Sequence, residues 1–356
     1  MSGKKIKVLV VDDSALMRQL IVSILNADPA IEVVGTASDP FAAKDKILTL
    51  EPDVLTLDVE MPKMDGLTFL EKLMAGRPMP VVMLSSLTEK GCETTLRALE
   101  LGAVDFITKP KLDLSNGMVE LGDVIIEKVK SAASARIRRR PILRPVVNKE
   151  AIAPPTRESL ISSTHKVIAI GASTGGTEAV AEVLSRFPPD APGTIVVIHM
   201  PEGFTRTYAE RLDRTCQIRV KEAEDGDRIL PGHTLIAPGS FHMEAIRSGA
   251  TYAVRVFDAA PVSRHKPSVD VMFRSGAKYL GRNGVGVLLT GMGKDGAEGL
   301  LAMKEAGAHT ICQDEATCVV FGMPREAIAL GAAADVLPLE RIAAKALSAA
   351  KCEVLT

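Results

Sequence analysis

The chain has no tryptophan, three tyrosines and nine phenylalanines among its 356 residues, so aromatics make up 3% of it. Surfaces that stack nucleic-acid bases on aromatic rings are therefore not expected. Formal charge is equally sparse in imbalance: 43 basic against 44 acidic residues leave −1 at pH 7, and no global field favours nucleic acid or an anionic membrane. Long apolar runs are also missing. The start, Met-Ser-Gly-Lys-Lys-Ile-Lys, leads only into a short apolar stretch before Asp12 and Asp13, which does not read as a signal peptide, and no run approaches a membrane span. The five cysteines (Cys92, Cys216, Cys312, Cys318 and Cys352) are scattered without C-x-x-C pairing. That fits reduced thiols in a cytoplasm and gives no support to a cysteine metal site. Helix-turn-helix and zinc-finger spacings are absent too, which counts against a DNA-binding output.

What is present is a length that suits two domains, 46% hydrophobic and 24% charged as in globular proteins. In residues 1–130 short apolar runs alternate with helical patterns: Ile6–Val11, Ile31–Ala37, Val54–Leu57, Val81–Leu84 and Val104–Ile107 are the expected strands. Five βα units imply a flavodoxin-like parallel sheet covered on both faces, the class of open α/β fold that binds ligands beyond its strand ends. Asp12 and Asp13 follow the first strand, Asp58 the third, Ser85 the fourth and Lys109 the fifth. Three clustered carboxylates call for a cation, and an oxygen-only site suits Mg²⁺. Asp58 is then a nucleophile for phosphoryl transfer.

Residues 131–164 change in character. A basic cluster (Arg136, Arg138, Arg139, Arg140, Arg144) is followed by Pro141, Pro145, Pro154 and Pro155, and the segment reads as a solvated tether that could also dock an acidic partner.

Residues 165–356 return to α/β patterning, with a mostly parallel sheet and a β-hairpin insertion at Phe241–Phe257. Val167–Ile170 runs into Gly-Ala-Ser173-Thr-Gly, a Gly-x-Ser-x-Gly pattern that places a serine hydroxyl on a tight strand-to-helix turn. By itself the pattern also fits a turn that holds a phosphate at a helix N-terminus. His199 follows the strand Thr194–Ile198, and Asp295 follows the run Gly286–Thr290. Parallel strand ends gather on one sheet edge, so the three could meet as nucleophile, base and orienting carboxylate. His265, in the polar loop before Asp270, is the rival base; His165, His233, His242 and His309 are weaker ones. Backbone amides at Thr174 and around Met292 are the natural oxyanion donors, because glycines flank both.

Val-Val-Asp12-Asp13-Ser, Leu-Asp58-Val-Glu-Met-Pro-Lys-Met-Asp-Gly, Leu-Ser85-Ser and Phe106-Ile-Thr-Lys109-Pro resemble the signature set of response-regulator receiver domains. The resemblance implies that Asp58 accepts phosphate from a histidine kinase or a small phosphodonor. It also implies that Asp12, Asp13, Asp58 and the Val59 carbonyl hold Mg²⁺, that Lys109 and Ser85 contact the phosphoryl group, and that Phe106 is the switch aromatic. Ile-Gly-Ala-Ser173-Thr-Gly-Gly, Ile-His199-Met, His-Lys-Pro-Ser-Val-Asp270 and Leu-Thr-Gly-Met292-Gly-Lys-Asp295-Gly resemble the catalytic domain of chemotaxis protein-glutamate methylesterases, the CheB family. By that resemblance the chain is a cytoplasmic serine hydrolase of the chemotaxis pathway. It would cleave glutamyl methyl esters, and deamidate glutamines, on methyl-accepting chemotaxis receptors through Ser173, His199 and Asp295, with no cofactor for the ester chemistry. An unphosphorylated receiver would cover the catalytic edge and release it on phosphorylation of Asp58. Two other readings remain open on the residues alone: a receiver-controlled module whose Ser173 turn binds phosphate or nucleotide, and a regulator acting only through its basic linker.

Overall fold

The computed structural model describes residues 4–61, 64–109, 118–137 and 166–351. The chain forms two compact units that divide at 142/143. Most of the basic, proline-rich segment (residues 138–164), with His165 and Cys352, lies outside the described residues.

In the first unit β1 (Ile6–Val11), β2 (Ile31–Ala37), β3 (Val54–Asp58), β4 (Val81–Ser85) and β5 (Asp105–Thr108) form one sheet in the order β2-β1-β3-β4-β5. Its neighbouring strands all pair in parallel. The helices are α1 (Ala15–Asn26), α2 (Pro40–Leu50), α3 (Gly66–Gly76), α4 (Glu89–Glu100) and α5 (Met118–Ala133), which extends three residues into the stretch expected to be linker. Four of them start on a side chain that accepts an orphan amide: Ser14 from Met17, Asp39 from Phe41 and Ala42, Asp65 from Thr68 and Thr88 from Gly91. β3 and β4 are buried along their whole length, as strands covered on both faces must be.

The second unit holds a seven-stranded sheet in the order β14-β13-β12-β6-β7-β9-β8. It comprises β6 (Val167–Ala172), β7 (Gly193–Ile198), β8 (Arg219–Glu222), β9 (His233–Ile236), β12 (Gly284–Leu288), β13 (His309–Gln313) and β14 (Asp335–Leu337). Every pair in it is parallel. The helices are α6 (Gly176–Leu184), α7 (Phe204–Thr215), α8 (Val269–Tyr279), α9 (Ala297–Glu305), α10 (Met323–Ala329) and α11 (Leu339–Ala349). The expected insertion is an antiparallel hairpin of β10 (His242–Ser248) and β11 (Thr251–Phe257). Its inward residues Met243, Ala245 and Val254 join Val269, Met272 and Phe273 in the core, so the hairpin packs as part of the unit.

Strand order reverses between β1 and β3 in the first sheet and between β6 and β12 in the second. Helices leave such a switch point on opposite faces, and a crevice opens beyond the carboxyl ends of the two strands. Asp12 and Asp58 lie at the first crevice; Ser173 and Asp295 lie beyond the two strands that make the second, with His199 at the end of the neighbouring β7.

Candidate active site and receiver site

The turn after β6 is built for a protruding serine. Gly175 has φ +76°, a conformation strained for any side chain, and a Cβ there would lie 2.6 Å from Val319. The Ser173 amide donates to the Thr290 carbonyl at 3.0 Å and the Gly176 amide returns to the Ser173 carbonyl at 2.6 Å, which closes the turn. Gly291 presses against this turn: a Cβ on it would stand 2.7 Å from the Ser173 Cβ. Main chain at Gly291–Met292 is thereby brought beside the serine, and Met292 is half-buried there. Thr290 fastens the two turns together, its hydroxyl contacting the carbonyls of Thr174 (3.0 Å) and Val320 (3.2 Å) and accepting the Val320 amide at 3.0 Å.

Ser173, His199 and Asp295 are brought into one hydrogen-bonded line. Ser173 Oγ lies 3.1 Å from His199 Nδ1, and His199 Nε2 lies 2.8 Å from Asp295 Oδ2. A carboxylate can only accept, so the neutral imidazole carries its proton on Nε2 and leaves Nδ1 to accept from the serine. The ring is thus reversed relative to the common serine-protease arrangement, in which Nε2 faces the serine. Asp295 sits at the N-terminus of α8, where Oδ2 accepts the Val269 amide at 2.7 Å, and Oδ1 accepts the Asp270 amide at 3.1 Å and the Ser268 hydroxyl at 2.8 Å. Burial pushes the Asp295 carboxyl up, but the His199 partner, the Ser268 hydroxyl and the Val269 amide outweigh it and hold the group below the ordinary carboxylate range. The carboxylate therefore stays ionised facing the imidazole.

Of the rival histidines, His265 reaches the site but in another role. Its ring stacks on that of His199, with centroids 3.6 Å apart and planes 10° from parallel. His233 binds the Pro231 carbonyl on the surface and His309 pairs with Asp335 at 2.6 Å. His242 is fully buried, 3.0 Å from the Ala260 carbonyl, and accepts the Ser268 amide. Ser268 does not stand out as a site residue in the sequence, and His242 does so only as a weak rival base. The Ser268 cap before α8 is a local signal, but its contact with Asp295 spans 27 residues and is made only by folding.

In the receiver, one carboxylate oxygen from each of Asp12, Asp13 and Asp58 fits within 4.8 Å of the others. Lys109 Nζ lies 3.1 Å from Asp12 Oδ2 and 2.7 Å from Asp58 Oδ2, ion pairs whose alignment is not that of hydrogen bonds. Two buried, incompletely satisfied carboxylate oxygens beside an exposed third carboxylate suit a hard cation such as Mg²⁺. Burial, with the Asp12 charge adding to it, raises the Asp58 carboxyl to about 6 even against Lys109. The Val59 carbonyl, expected as a fourth ligand, accepts the Gly66 amide at 2.9 Å with one of its two lone pairs. The Ser85 hydroxyl is engaged with α4, taking a hydrogen bond from Thr95 at 2.5 Å and lying 3.3 Å from the Gly91 carbonyl. Phe106 is buried under the Lys128 ammonium, 5.3 Å from the ring centroid.

Residues 168–346 match the CheB methylesterase family, and residues 8–116 match the response regulator receiver domain. A Pseudomonas aeruginosa protein, "Protein-glutamate methylesterase/protein-glutamine glutaminase 2", is 60% identical over 345 residues that cover 97% of each chain. The chain belongs to the CheB methylesterase family. A Salmonella typhimurium family member, "Protein-glutamate methylesterase/protein-glutamine glutaminase", is 58% identical over 345 residues, again 97% of each chain. The crystal structure of the Thermotoga maritima CheB methylesterase catalytic domain aligns with a TM-score of 0.50 at 38% identity, covering 51% of this chain and 97% of that one. Both units of the fold therefore have counterparts within the family, and the receiver and hydrolase sites occur together on one chain.

Proposed function

We propose that this chain is a phosphorylation-controlled protein-glutamate methylesterase, acting also as a glutaminase, on methyl-accepting chemotaxis receptors in the cytoplasm. The supporting observation is the hydrogen-bonded line from Ser173 through His199 to Asp295 at the β6/β12 switch point. Ser173 Oγ attacks the side-chain carbonyl carbon of a methylated glutamate while His199 Nδ1 takes its proton, and Asp295 balances the imidazolium. Amides in the Thr174 and Met292 turns stabilise the oxyanion. The C–O bond then breaks, His199 protonates the departing methoxide to methanol, and an acyl ester remains on Ser173. Water, deprotonated by His199, attacks this ester and releases glutamate and the serine. With a glutamine substrate the same steps release ammonia.

Asp58 is the proposed phosphate acceptor, supplied by a histidine kinase or a small phosphodonor, and Asp12, Asp13 and Asp58, with the Val59 carbonyl, would hold Mg²⁺. When bound, that ion offsets the negative charge of the carboxylates and the incoming phosphoryl group. Lys109 already neutralises part of that charge and is placed to follow it onto the phosphoryl oxygens. The switch residues Ser85 and Phe106 lie on β4 and β5, the strands that continue the sheet from Asp58.

A receptor-helix peptide carrying one γ-methyl glutamate tests the chemistry, with product followed by mass. Ser173→Ala should lower turnover about a thousandfold or more, since loss of one member disables the set. Undiminished turnover would instead support a binding role for the Ser173 turn.

A further inference from the structure

Behind the three proposed catalytic residues runs a buried polar chain that leads into the hairpin. The His242 ring is fully buried at the start of β10, and its Nε2 lies 3.0 Å from the Ala260 carbonyl. That carbonyl only accepts, so Nε2 carries the proton and Nδ1 is left as an acceptor, 3.3 Å from the Ser268 amide. The Ser268 hydroxyl is fully buried as well and donates to Asp295 Oδ1 at 2.8 Å, while Ser268 Oγ accepts the Val271 amide at 3.5 Å as the cap of α8. Each partner along this path is fixed by its neighbour's donor or acceptor role. Its last member grips the carboxylate oxygen that does not face His199.

We infer that Ser268, aimed by His242, is a positioning residue for ester hydrolysis: its hydroxyl sets the rotation of the Asp295 carboxylate and thereby the aim of the His199 ring at Ser173. The inference rests on the proposed roles of Ser173, His199 and Asp295. Ser268 has no exposed surface, so it acts through Asp295 and not by touching substrate. Two backbone amides also hold the carboxylate, but both come from the first turn of α8, the turn that Ser268 itself caps. Removing the hydroxyl leaves Oδ1 with only the longer bond from the Asp270 amide, at 3.1 Å, while the helix persists.

The test compares the full-length wild type with Ser268→Ala, Ser268→Gly and Ser268→Thr on the γ-methyl glutamate peptide, alongside Ser173→Ala. Glycine caps a helix nearly as well as serine, so Ser268→Gly separates loss of the hydroxyl from loss of the cap. Both hydroxyl-free variants should lose about tenfold or more in kcat, the scale of one hydrogen bond to a charged group, with KM within about twofold. Ser268→Thr should recover most of the rate. The downfield proton resonance of the His199–Asp295 hydrogen bond, identified by its loss in Asp295→Asn, should shift in Ser268→Ala and Ser268→Gly and return in Ser268→Thr. Wild-type kcat and an unmoved resonance in folded Ser268→Gly, with Ser173→Ala inactive, overturn this inference alone. Full activity in Ser173→Ala overturns the triad reading and this inference with it.

Discussion

At the scale of single residues, charge is where the two sites differ. Asp295 is buried but ringed by donors and stays ionised; Asp58 is buried with one ammonium for relief and sits at about 6. An unfolded aspartate titrates near 3.9, so the folded chain binds the extra Asp58 proton between about pH 4 and 6. The group's stabilising contribution is full below about pH 4 and is lost as pH rises through 6. Two pKa units correspond to about 3 kcal/mol. Asp58→Asn should accordingly raise the receiver's melting temperature at pH 7.5 without metal, and change it little at pH 4.5. Mg²⁺ at pH 7.5 should raise that temperature more in wild type than in Asp58→Asn. A wild-type receiver whose stability rises between pH 4.5 and 7.5 relative to Asp58→Asn would show the carboxylate is not held this way. Asp295→Asn, by contrast, should leave folding intact and lower turnover about a thousandfold, because the amide no longer compensates the imidazolium.

At the scale of elements, the strands that carry chemistry were the most legible part of the sequence. Apolar runs such as Val167–Ile170 and Thr194–Ile198 end abruptly in Ser173 and His199, and a buried parallel strand must end where its polar residues begin. β8 (Arg-Val-Lys-Glu) and β9 (His-Thr-Leu-Ile) carry no long apolar run in the sequence, yet both join the main parallel sheet. β8 is an edge strand with Arg219 and Lys221 exposed, and such strands lack the continuous apolar run. Beyond Gln313 no further element stood out. There β14 is three residues long with Val336 exposed, too short to show a period, and it forms because Ile311–Gln313 offers it a paired edge. The site shows the same division: residues named by their place at a strand end could be read, whereas the grip of Ser268 on Asp295 and the press of Gly291 on Ser173 depend on elements far apart in sequence. The fastening between those elements is itself testable. Thr290→Val keeps the shape but strips a buried hydroxyl from the Thr174 carbonyl and the Val320 amide, and should cost about 1–3 kcal/mol with a fall of roughly 2–4 °C per kcal/mol in melting temperature. Gly291→Ala should lower both stability and activity, since its added Cβ would stand 2.3 Å from the buried Met323 Sδ and 2.7 Å from the Ser173 Cβ; an alanine variant with normal melting temperature and turnover would contradict that packing.

At the scale of the whole molecule, a receiver and a methylesterase domain share one chain, and each has its candidate site at the switch point of its own sheet. Among the described residues no helix is long and apolar enough to cross a membrane. In the proposed mechanism, phosphate on Asp58 controls acyl transfer at Ser173. The most direct measurement is methanol release from methyl-labelled receptor membranes with Mg²⁺, with and without a small acyl-phosphate donor, for wild type, Asp58→Asn and Ser173→Ala. The account predicts donor-stimulated release in wild type, basal unstimulated release in Asp58→Asn and none above background in Ser173→Ala. Equal release from all three proteins would contradict it.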